Sequence, residues 1–294
     1  MPNLKEVRTR IASVKSTQQI TSAMKMVAAA KLRKAQNAIL QMRPYAAKLH
    51  ELLQNLSSAL DSGDDSSVYA QQREPGKVLI VAISSNRGLC GAFNSNVIKK
   101  VNALLKEEYS SQYSSGSLHL MTVGKKVNDS FRRRKVNIVA DHQRIFDRLS
   151  FENASAIAED LMSRFRSGEY DRIVLVYNQF KNAASQNLVA EQFLPVEPPA
   201  ADQNTGQSVD YIFEPNRHEI VLDLIPKSLK VQFYKALLDS FAAEHGARMT
   251  AMHQATENAK ELLHELSLTY NKARQASITK ELLEIVSGAE ALKG

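Results

Sequence analysis

The stretch LKEVRTRIASVKSTQQITSAMKMVAAAKLRKAQ, residues 4–36, decides the fold because its apolar residues recur at alternating spacings of three and four. This rhythm continues to residue 60 over about eight heptads, and three or four heptads already indicate a coiled-coil helix. The seam positions are Leu4, Val7, Ile11, Val14, Gln18, Thr21, Lys25, Ala28, Leu32, Ala35, Ile39, Met42, Ala46, Leu49, Leu53, Leu56 and Leu60. Three consecutive polar members, at 18, 21 and 25, are expected to weaken helix pairing locally. Pro44 removes one helical hydrogen bond and is expected to bend or break the helix.

The positive charge of the chain is concentrated in this same helix. The 294 residues carry a formal charge of +7, whereas residues 1–57 alone hold ten basic and two acidic side chains. Residues 216–294 hold ten of each sign. The chain is therefore a nearly neutral protein with one basic arm. Few glycines and prolines, 11 and 8 respectively, are consistent with long helices.

The middle of the chain changes to the pattern of an α/β domain, expected over 77–215 after a polar linker at 61–76. Residues 77–83, KVLIVAI, form a short continuous apolar run, which is typical of a strand buried on both faces. Further strands are predicted at 118–123, 136–140 and 172–177, with an edge strand at 188–194 before a proline-rich loop at 195–210. Helices are predicted between them at 94–109, 124–135 and 151–167. This alternation predicts a Rossmann-like domain with a largely parallel sheet.

A helical period returns at 216–294, with a kink expected at Pro226. A heptad-like trace includes Leu238, Phe241, His245, Arg248, Met252, Ala255, Ala259, Leu262, Leu266 and Ala273. Two long helices at opposite ends of the chain, 1–60 and 216–294, can pair if they are antiparallel. The C-terminal helix is the longer one, so its last twenty or so residues are expected to extend past the partner. Their apolar side chains indicate a surface that another protein covers.

The sequence lacks the motifs of an active site, a metal site or a cofactor site. Val123–Lys126 follows a strand but has neither the upstream glycine nor the hydroxyl of a phosphate-binding loop. Residues 87–94, RGLCGAFN, have too few glycines for a dinucleotide fingerprint and indicate a packing turn or a docking surface. Cys90 is the one cysteine and is expected to be buried as a small hydrophobe. The basic run 132–135 favours a solvated helix end over nucleic-acid binding.

Two motifs of the terminal helices resemble the gamma subunits of F-type ATP synthases. They are IASVKSTQQITSAMKMVAAAKLR at 11–33 and ITKELLEIVSGAEA at 278–291. EHGARMTAM at 244–252 and the loop 85–94 are also similar to that family. Asn86 stands in this loop where the family often has Asp, an exchange that is expected to have no consequence. The resemblance covers essentially the whole chain.

The resemblance implies a non-catalytic rotor shaft and a defined set of partners. The paired terminal helices are expected to enter a ring of alternating alpha and beta subunits that hold the nucleotide sites. The α/β domain is expected to rest on the epsilon subunit and the ring of membrane c subunits. No cofactor, no nucleic acid and no direct membrane insertion are expected.

The resemblance also implies which residues face acidic loops of the beta subunits. The implied contacts are Met24, Lys25, Arg248, Arg274, Gln275, Thr279 and Glu281. The residue pattern agrees for Lys25, because a charge that interrupts an apolar seam is expected to point outward towards an acidic partner. The alternative interpretation of each residue is a solvated coiled-coil position.

Two other functions compete with the rotor on sequence grounds alone. The first is a basic coiled-coil protein that binds nucleic acid, whose affinity would fall steeply with salt. The second is an α/β enzyme with helical dimerisation arms, which requires a pocket with convergent polar groups. The N-terminal sequence has no apolar signal core and no acid-free, Arg-rich transit segment. A peripheral location on the cytoplasmic face of a bacterial inner membrane is therefore expected, with a processed organellar chain as the alternative.

Overall fold

The computed structural model describes residues 4–57, 68–69, 71–134, 136–196 and 217–291. Six α-helices and five strands lie in these ranges. They are α1 Leu4–Ser57, β1 Val78–Ile83, α2 Phe93–Ala103, α3 Ser110–Ser115, β2 Leu118–Val123, α4 Lys125–Arg133, β3 Ile138–Asp141, α5 Phe151–Arg166, β4 Arg172–Phe180, β5 Gln186–Leu194 and α6 Arg217–Ala291. A π-helical turn, Leu104–Glu108, follows α2, and a 3-10 helix, Gln143–Asp147, follows β3.

The two terminal helices continue through their prolines without a break. Pro44 lies inside α1 and Pro226 inside α6, and neither helix ends at its proline. The expectation that Pro44 could break the helix is therefore wrong. Each proline removes a single backbone donor, and the remaining hydrogen bonds of a helix of 54 or 75 residues keep it continuous.

The five strands form one sheet in the order β3-β2-β1-β4-β5. β1 pairs in parallel with β2 and with β4, and β2 pairs in parallel with β3. β5 is antiparallel to β4 and closes one edge, in agreement with the predicted edge strand. β4 continues three residues past its predicted end, to Phe180, because β5 pairs with it over that length.

Alternate residues of β1 supply two hydrophobic cores, one on each face of the sheet. Val78, Ile80 and Ala82 pack with buried residues of α2 and α4. Leu79, Val81 and Ile83 pack with buried residues of α5 and with the 229–237 segment of α6. All six side chains are fully buried, which explains why the strand reads as one continuous apolar run. The predicted Rossmann-like domain is confirmed.

Two sequence-predicted connections lie largely outside the described residues. The linker at 61–76 is described only at 68–69 and from 71 onward, and the proline-rich loop at 195–210 only at 195–196. Lys135, the last residue of the basic run, is also outside the description. The described part of that run, Arg132–Arg134, is exposed at the C-terminal end of α4, as predicted for a solvated helix end.

The chain divides into two compact units. One consists of residues 1–28 together with 248–294, and the other of residues 29–247. In the first unit, α1 and α6 pack on each other: Thr21 meets Thr256, and Lys25 meets His253. Residue numbers therefore increase along α1 in the direction in which they decrease along α6, so the two helices are antiparallel, as predicted.

Candidate partner-contact site

The buried face of α1 follows the predicted seam. Val7 and Ala28 are buried, and Ile11 and Val14 are partly buried, in the unit that contains residues 1–28. On α6 the seam runs through Met252 and Ala259, both buried. The predicted member Leu262 is exposed instead, and Leu263 is the half-buried residue of that turn. The next residue of the contact face therefore lies four positions after Ala259, whereas the heptad-like trace in the sequence placed it three positions after Ala259.

The polar interruption of the seam is a layer of side-chain hydrogen bonds between the two helices. The hydroxyl oxygens of Thr21 and Thr256 lie 2.9 Å apart. Each hydroxyl also has an acceptor in its own helix. The Thr21 hydroxyl donates to the carbonyl oxygen of Gln18 at 3.1 Å. The carbonyl oxygen of Met252 lies 2.7 Å from Thr256 Oγ1. One turn further along α1, Lys25 Nζ lies 3.2 Å from His253 Nδ1. We call Thr21, Lys25, His253 and Thr256 the polar layer.

Only two of the four residues of the polar layer could be recognised from the sequence. Thr21 and Lys25 stand out because they interrupt an apolar seam. His253 and Thr256 each directly follow a residue of the predicted α6 trace, Met252 and Ala255, and carry no signal of their own. Only the register between the two helices, which a heptad pattern does not specify, brings them opposite their partners.

The sequence-implied contact residues differ in their exposure. Met24 and Lys25 are half-buried on α1. Arg248 is only 7% exposed, so most of its side chain is covered within this chain. The remaining four lie exposed on α6: Arg274, Gln275, Thr279 and Glu281. Thr279 donates its hydroxyl hydrogen to the carbonyl oxygen of Gln275 at 3.0 Å, which leaves the hydroxyl oxygen able to accept a further bond.

The C-terminal part of α6 exposes a group of large apolar side chains. Its members are 46% to 68% exposed and comprise Ile278, Leu282, Leu283, Ile285 and Val286. The register of the polar layer places Leu4, the first described residue of α1, opposite about Ala273. Residues beyond that point therefore extend past the described part of α1. We call these five residues the apolar tip.

A second apolar surface on α1 is not apparent from the seam. Ile20, Met26 and Val27 are each more than half exposed on α1. Of these, Met26 lines a shallow groove of about 320 Å³. The other lining residues are Gln18, Gln19, Ser22, Ala23 and Thr256. Single exposed apolar residues are ordinary on a protein surface, so these three by themselves assign no partner.

The crevice where open α/β sheets bind ligands is filled by helix α6. Strand order reverses between β1 and β4, and ligands commonly bind outside the carboxyl ends of the strands at such a point. Here Cys90, Phe93 and Ala243 form a buried cluster, against which Phe180 and Ala247 pack. A Cβ on Gly246 would lie 3.2 Å from Ala183 Cα, so this close approach favours glycine.

Side chains of the loop after β1 make contacts within the chain, which fits a packing turn, one of the two interpretations of its sequence. Cys90 is buried, as predicted, and Asn94 Nδ2 lies 3.2 Å from its sulfur. Asn86 Oδ1 accepts from the backbone N–H of Lys125 at 3.0 Å, while Nδ2 donates to the carbonyl oxygen of Gln143 at 2.7 Å. A carboxylate cannot make the second bond. We therefore predict that an Asp at this position would lower stability, although no consequence was expected from the sequence.

One buried carboxyl stands out electrostatically in the unit of residues 29–247. Burial, with a smaller contribution from the nearby Glu191, raises the pKa of Asp239 to about 6, although Lys235 and Arg43 act in the opposite direction. Tyr177 donates to Glu191 at 3.2 Å, and burial raises the pKa of that phenol well above its usual range.

Among the described residues, no group of three or more His, Cys, Asp or Glu side chains could hold a metal ion. The described helices include none that is long and apolar enough to cross a bilayer.

The amino-acid sequence is similar to known proteins over nearly the whole chain. A family model described as ATP synthase matches residues 3–292. The ATP synthase gamma chain of Christiangramia forsetii is 61% identical over 294 residues, which is all of both chains. That of Chlorobaculum tepidum is 47% identical over 293 residues, again with full coverage of both.

Solved structures of similar fold are parts of mitochondrial ATP synthases. A chain from the central stalk and c-ring of the Tetrahymena thermophila enzyme is 26% identical, with a TM-score of 0.58 over 80% of this chain and 99% of that one. A chain of the Euglena gracilis enzyme is 21% identical, with a TM-score of 0.69 over 98% of this chain and 94% of that one. The second similarity supports the fold alone.

Proposed function

The chain belongs to the ATP synthase gamma-chain family, and from this premise we propose how its terminal helices act as the central rotor shaft of an F-type ATP synthase. The shaft has no active site of its own. It couples ion flow through the membrane ring to ATP synthesis or hydrolysis in the alpha–beta head. Coupling requires that the shaft make different contact free energies with different states of the head, because only such a difference shifts an equilibrium.

The observation that carries this proposal is the apolar tip. Five large apolar side chains, exposed on a helix segment that extends past its described partner, are unfavourable in water. A ring of alpha and beta subunits that encloses the tip removes this surface from solvent. The apolar tip is thus the surface through which the rotor contacts the surrounding alpha and beta subunits.

The contact residues fall into two groups by exposure. The residues proposed to contact the beta subunits directly have exposed or half-exposed side chains. They are Lys25, Arg274, Gln275, Thr279 and Glu281. Met24 is proposed to join them from the half-buried face of α1. Arg248 is mostly covered within the chain, so we propose that it acts by fixing the local shape of α6.

Charge supports a rotor that meets acidic surfaces. Residues 1–57 carry ten basic and two acidic side chains, and Arg8, Arg10 and Lys15, which lie off the seam, are exposed. Complementary charge speeds association and suppresses wrong orientations. Acidic loops of beta subunits are the partners that this face fits.

The remaining partners and the location follow from the family. We propose that residues 1–60 and 216–294 form the shaft, and that the α/β domain at 77–215 rests on the epsilon subunit and the c-subunit ring. This arrangement makes the chain a peripheral protein of the cytoplasmic face of the bacterial inner membrane. The nucleic-acid alternative has little support, because Tyr45 is the one aromatic residue among residues 1–57 and a base-stacking platform needs several.

Isolation of the native complex tests this function. Membranes are solubilised in mild detergent, the ATP-hydrolysing fraction is separated without a tag on this chain, and its subunits are identified by mass spectrometry. The rotor assignment predicts this chain in that fraction together with alpha, beta, epsilon and c subunits. Recovery of the chain as a homodimer without the other subunits would contradict it.

A further inference from the structure

We propose that His253 is a positioning residue that holds the ammonium group of Lys25 at the surface of the paired helices. This inference rests on the proposed role of Lys25 as a beta-subunit contact. His253 itself is not among the residues that the family resemblance implied. The observation behind it is the 3.2 Å contact between Lys25 Nζ and His253 Nδ1.

The chemistry of the pair fixes the state of the imidazole. An ammonium group carries three donors and no acceptor, so Nδ1 of His253 must be the acceptor. The proton of the neutral ring then lies on Nε2. Lys25 is half-buried and belongs to a seam, so this single acceptor restrains a side chain that otherwise samples many rotamers.

Few other charges face His253. On α1, the residues one helical turn from Lys25 are Thr21, Ser22, Ala28 and Ala29, all uncharged. On α6, the residues one turn from His253 are Met249, Thr250, Thr256 and Glu257. Glu257 is therefore the one carboxylate within a turn of the ring, at the i+4 spacing that allows a side-chain pair on a helix.

Loss of the Nδ1 acceptor would remove this restraint. The Lys25 side chain would then sample more rotamers, and the position of its charge would be less well defined.

The complete complex, reconstituted in vesicles, tests this with three histidine variants. His253→Leu removes the acceptor, and His253→Gln keeps an amide oxygen that can accept. His264→Gln is the matched control, because His264 is an exposed histidine of the same helix. The readout is the number of protons pumped per ATP hydrolysed, expressed relative to the unmodified complex.

His253→Leu is expected to lower this ratio about two- to threefold, the scale of an exposed charged contact. His253→Gln is expected to keep the ratio of the unmodified complex, because its amide oxygen replaces the lost acceptor. His264→Gln is expected to have no effect. A ratio for His253→Gln that falls as far as that of His253→Leu, or an unchanged ratio for His253→Leu, would overturn the proposal.

Lys25→Leu separates this inference from the function on which it rests. If Lys25→Leu lowers the ratio and His253→Leu does not, the positioning role of His253 is wrong while the role of Lys25 stands. If Lys25→Leu leaves the ratio unchanged, the proposed contact role of Lys25 is wrong, and the inference fails with it. In the double variant the two effects should be non-additive, since both remove the same hydrogen bond.

Discussion

The hydroxyl groups of Thr21 and Thr256 lie 2.9 Å apart across two helices, although 235 positions separate them along the chain. An apolar seam permits helices to slide by a heptad, because each turn offers a similar surface. A polar pair at one position favours a single register, as buried polar residues do in other coiled coils. The Thr21–Thr256 pair therefore fixes which residues of α6 face Lys25.

Valine at either threonine should have a small effect on stability. Each hydroxyl retains a carbonyl acceptor in its own helix, at Gln18 or Met252, so neither single substitution leaves a buried donor without an acceptor. Thr21→Val and Thr256→Val should each lower the free energy of unfolding by less than about 1 kcal/mol. Urea denaturation of the purified chain measures this. A loss above about 3 kcal/mol would show that the cross-helix bond dominates.

Gly246→Ala and Gly288→Ala should change stability in opposite directions, although both replace a glycine in α6. Alanine is the better helix former by about 0.5–1 kcal/mol, and a Cβ at position 288 meets nothing within 4 Å. At position 246 the Cβ meets Ala183 backbone atoms at 3.2 and 3.3 Å. Gly246→Ala should therefore destabilise by about 1–3 kcal/mol. Equal effects in thermal denaturation would refute close packing at Gly246.

Asn86→Asp tests the amide bridge between the loops that follow β1 and β2 and the segment after β3. The carboxylate still accepts from the Lys125 backbone but loses the donor to Gln143 and repels its carbonyl oxygen. The free energy of unfolding should fall by about 1–3 kcal/mol at neutral pH, the range for leaving a part-buried acceptor unsatisfied. The loss should shrink in acid, where a protonated carboxyl donates again. A loss that does not depend on pH would exclude this explanation.

Sequence reasoning succeeded where one residue pattern determines one structure. Residues 118–123 form β2 with the bounds that were predicted, because a continuous apolar run that ends at Gly124 suits a buried strand and the turn after it. The long helices followed from their heptads. The polar layer did not, since the register that brings His253 to Lys25 depends on how the whole of each helix packs. Leu262 was misassigned for the same reason.

Asp239→Asn should stabilise the protein at pH 7.5 and have little effect near pH 4. The folded-state pKa of about 6 lies above the ordinary value of 3.8, so the folded state holds this proton more tightly than the unfolded chain. Stability contributed by the protonated carboxyl is thus present below about pH 4 and is lost as pH rises to about 6. Removing the charge should recover about 2–3 kcal/mol above that range.

A matched variant checks the pH dependence of Asp239→Asn. Asp223 is an exposed carboxylate of the same helix, so Asp223→Asn should leave the dependence of unfolding free energy on pH unchanged. Urea denaturation at half-unit steps from pH 4 to pH 8 measures both variants. Identical curves for Asp239→Asn and the unmodified chain would show that burial does not perturb this carboxyl.

The central claim is that contacts of the terminal helices couple rotation to nucleotide turnover, and Lys25→Glu tests it most directly. Reversal of this charge in the complete complex should leave ATP hydrolysis and subunit assembly close to normal, because the Lys25 side chain remains partly exposed and touches no catalytic group. The measurement is the number of protons pumped per ATP hydrolysed in sealed vesicles. The rotor account predicts a marked fall in this ratio, and an unchanged ratio in a fully assembled complex would contradict it.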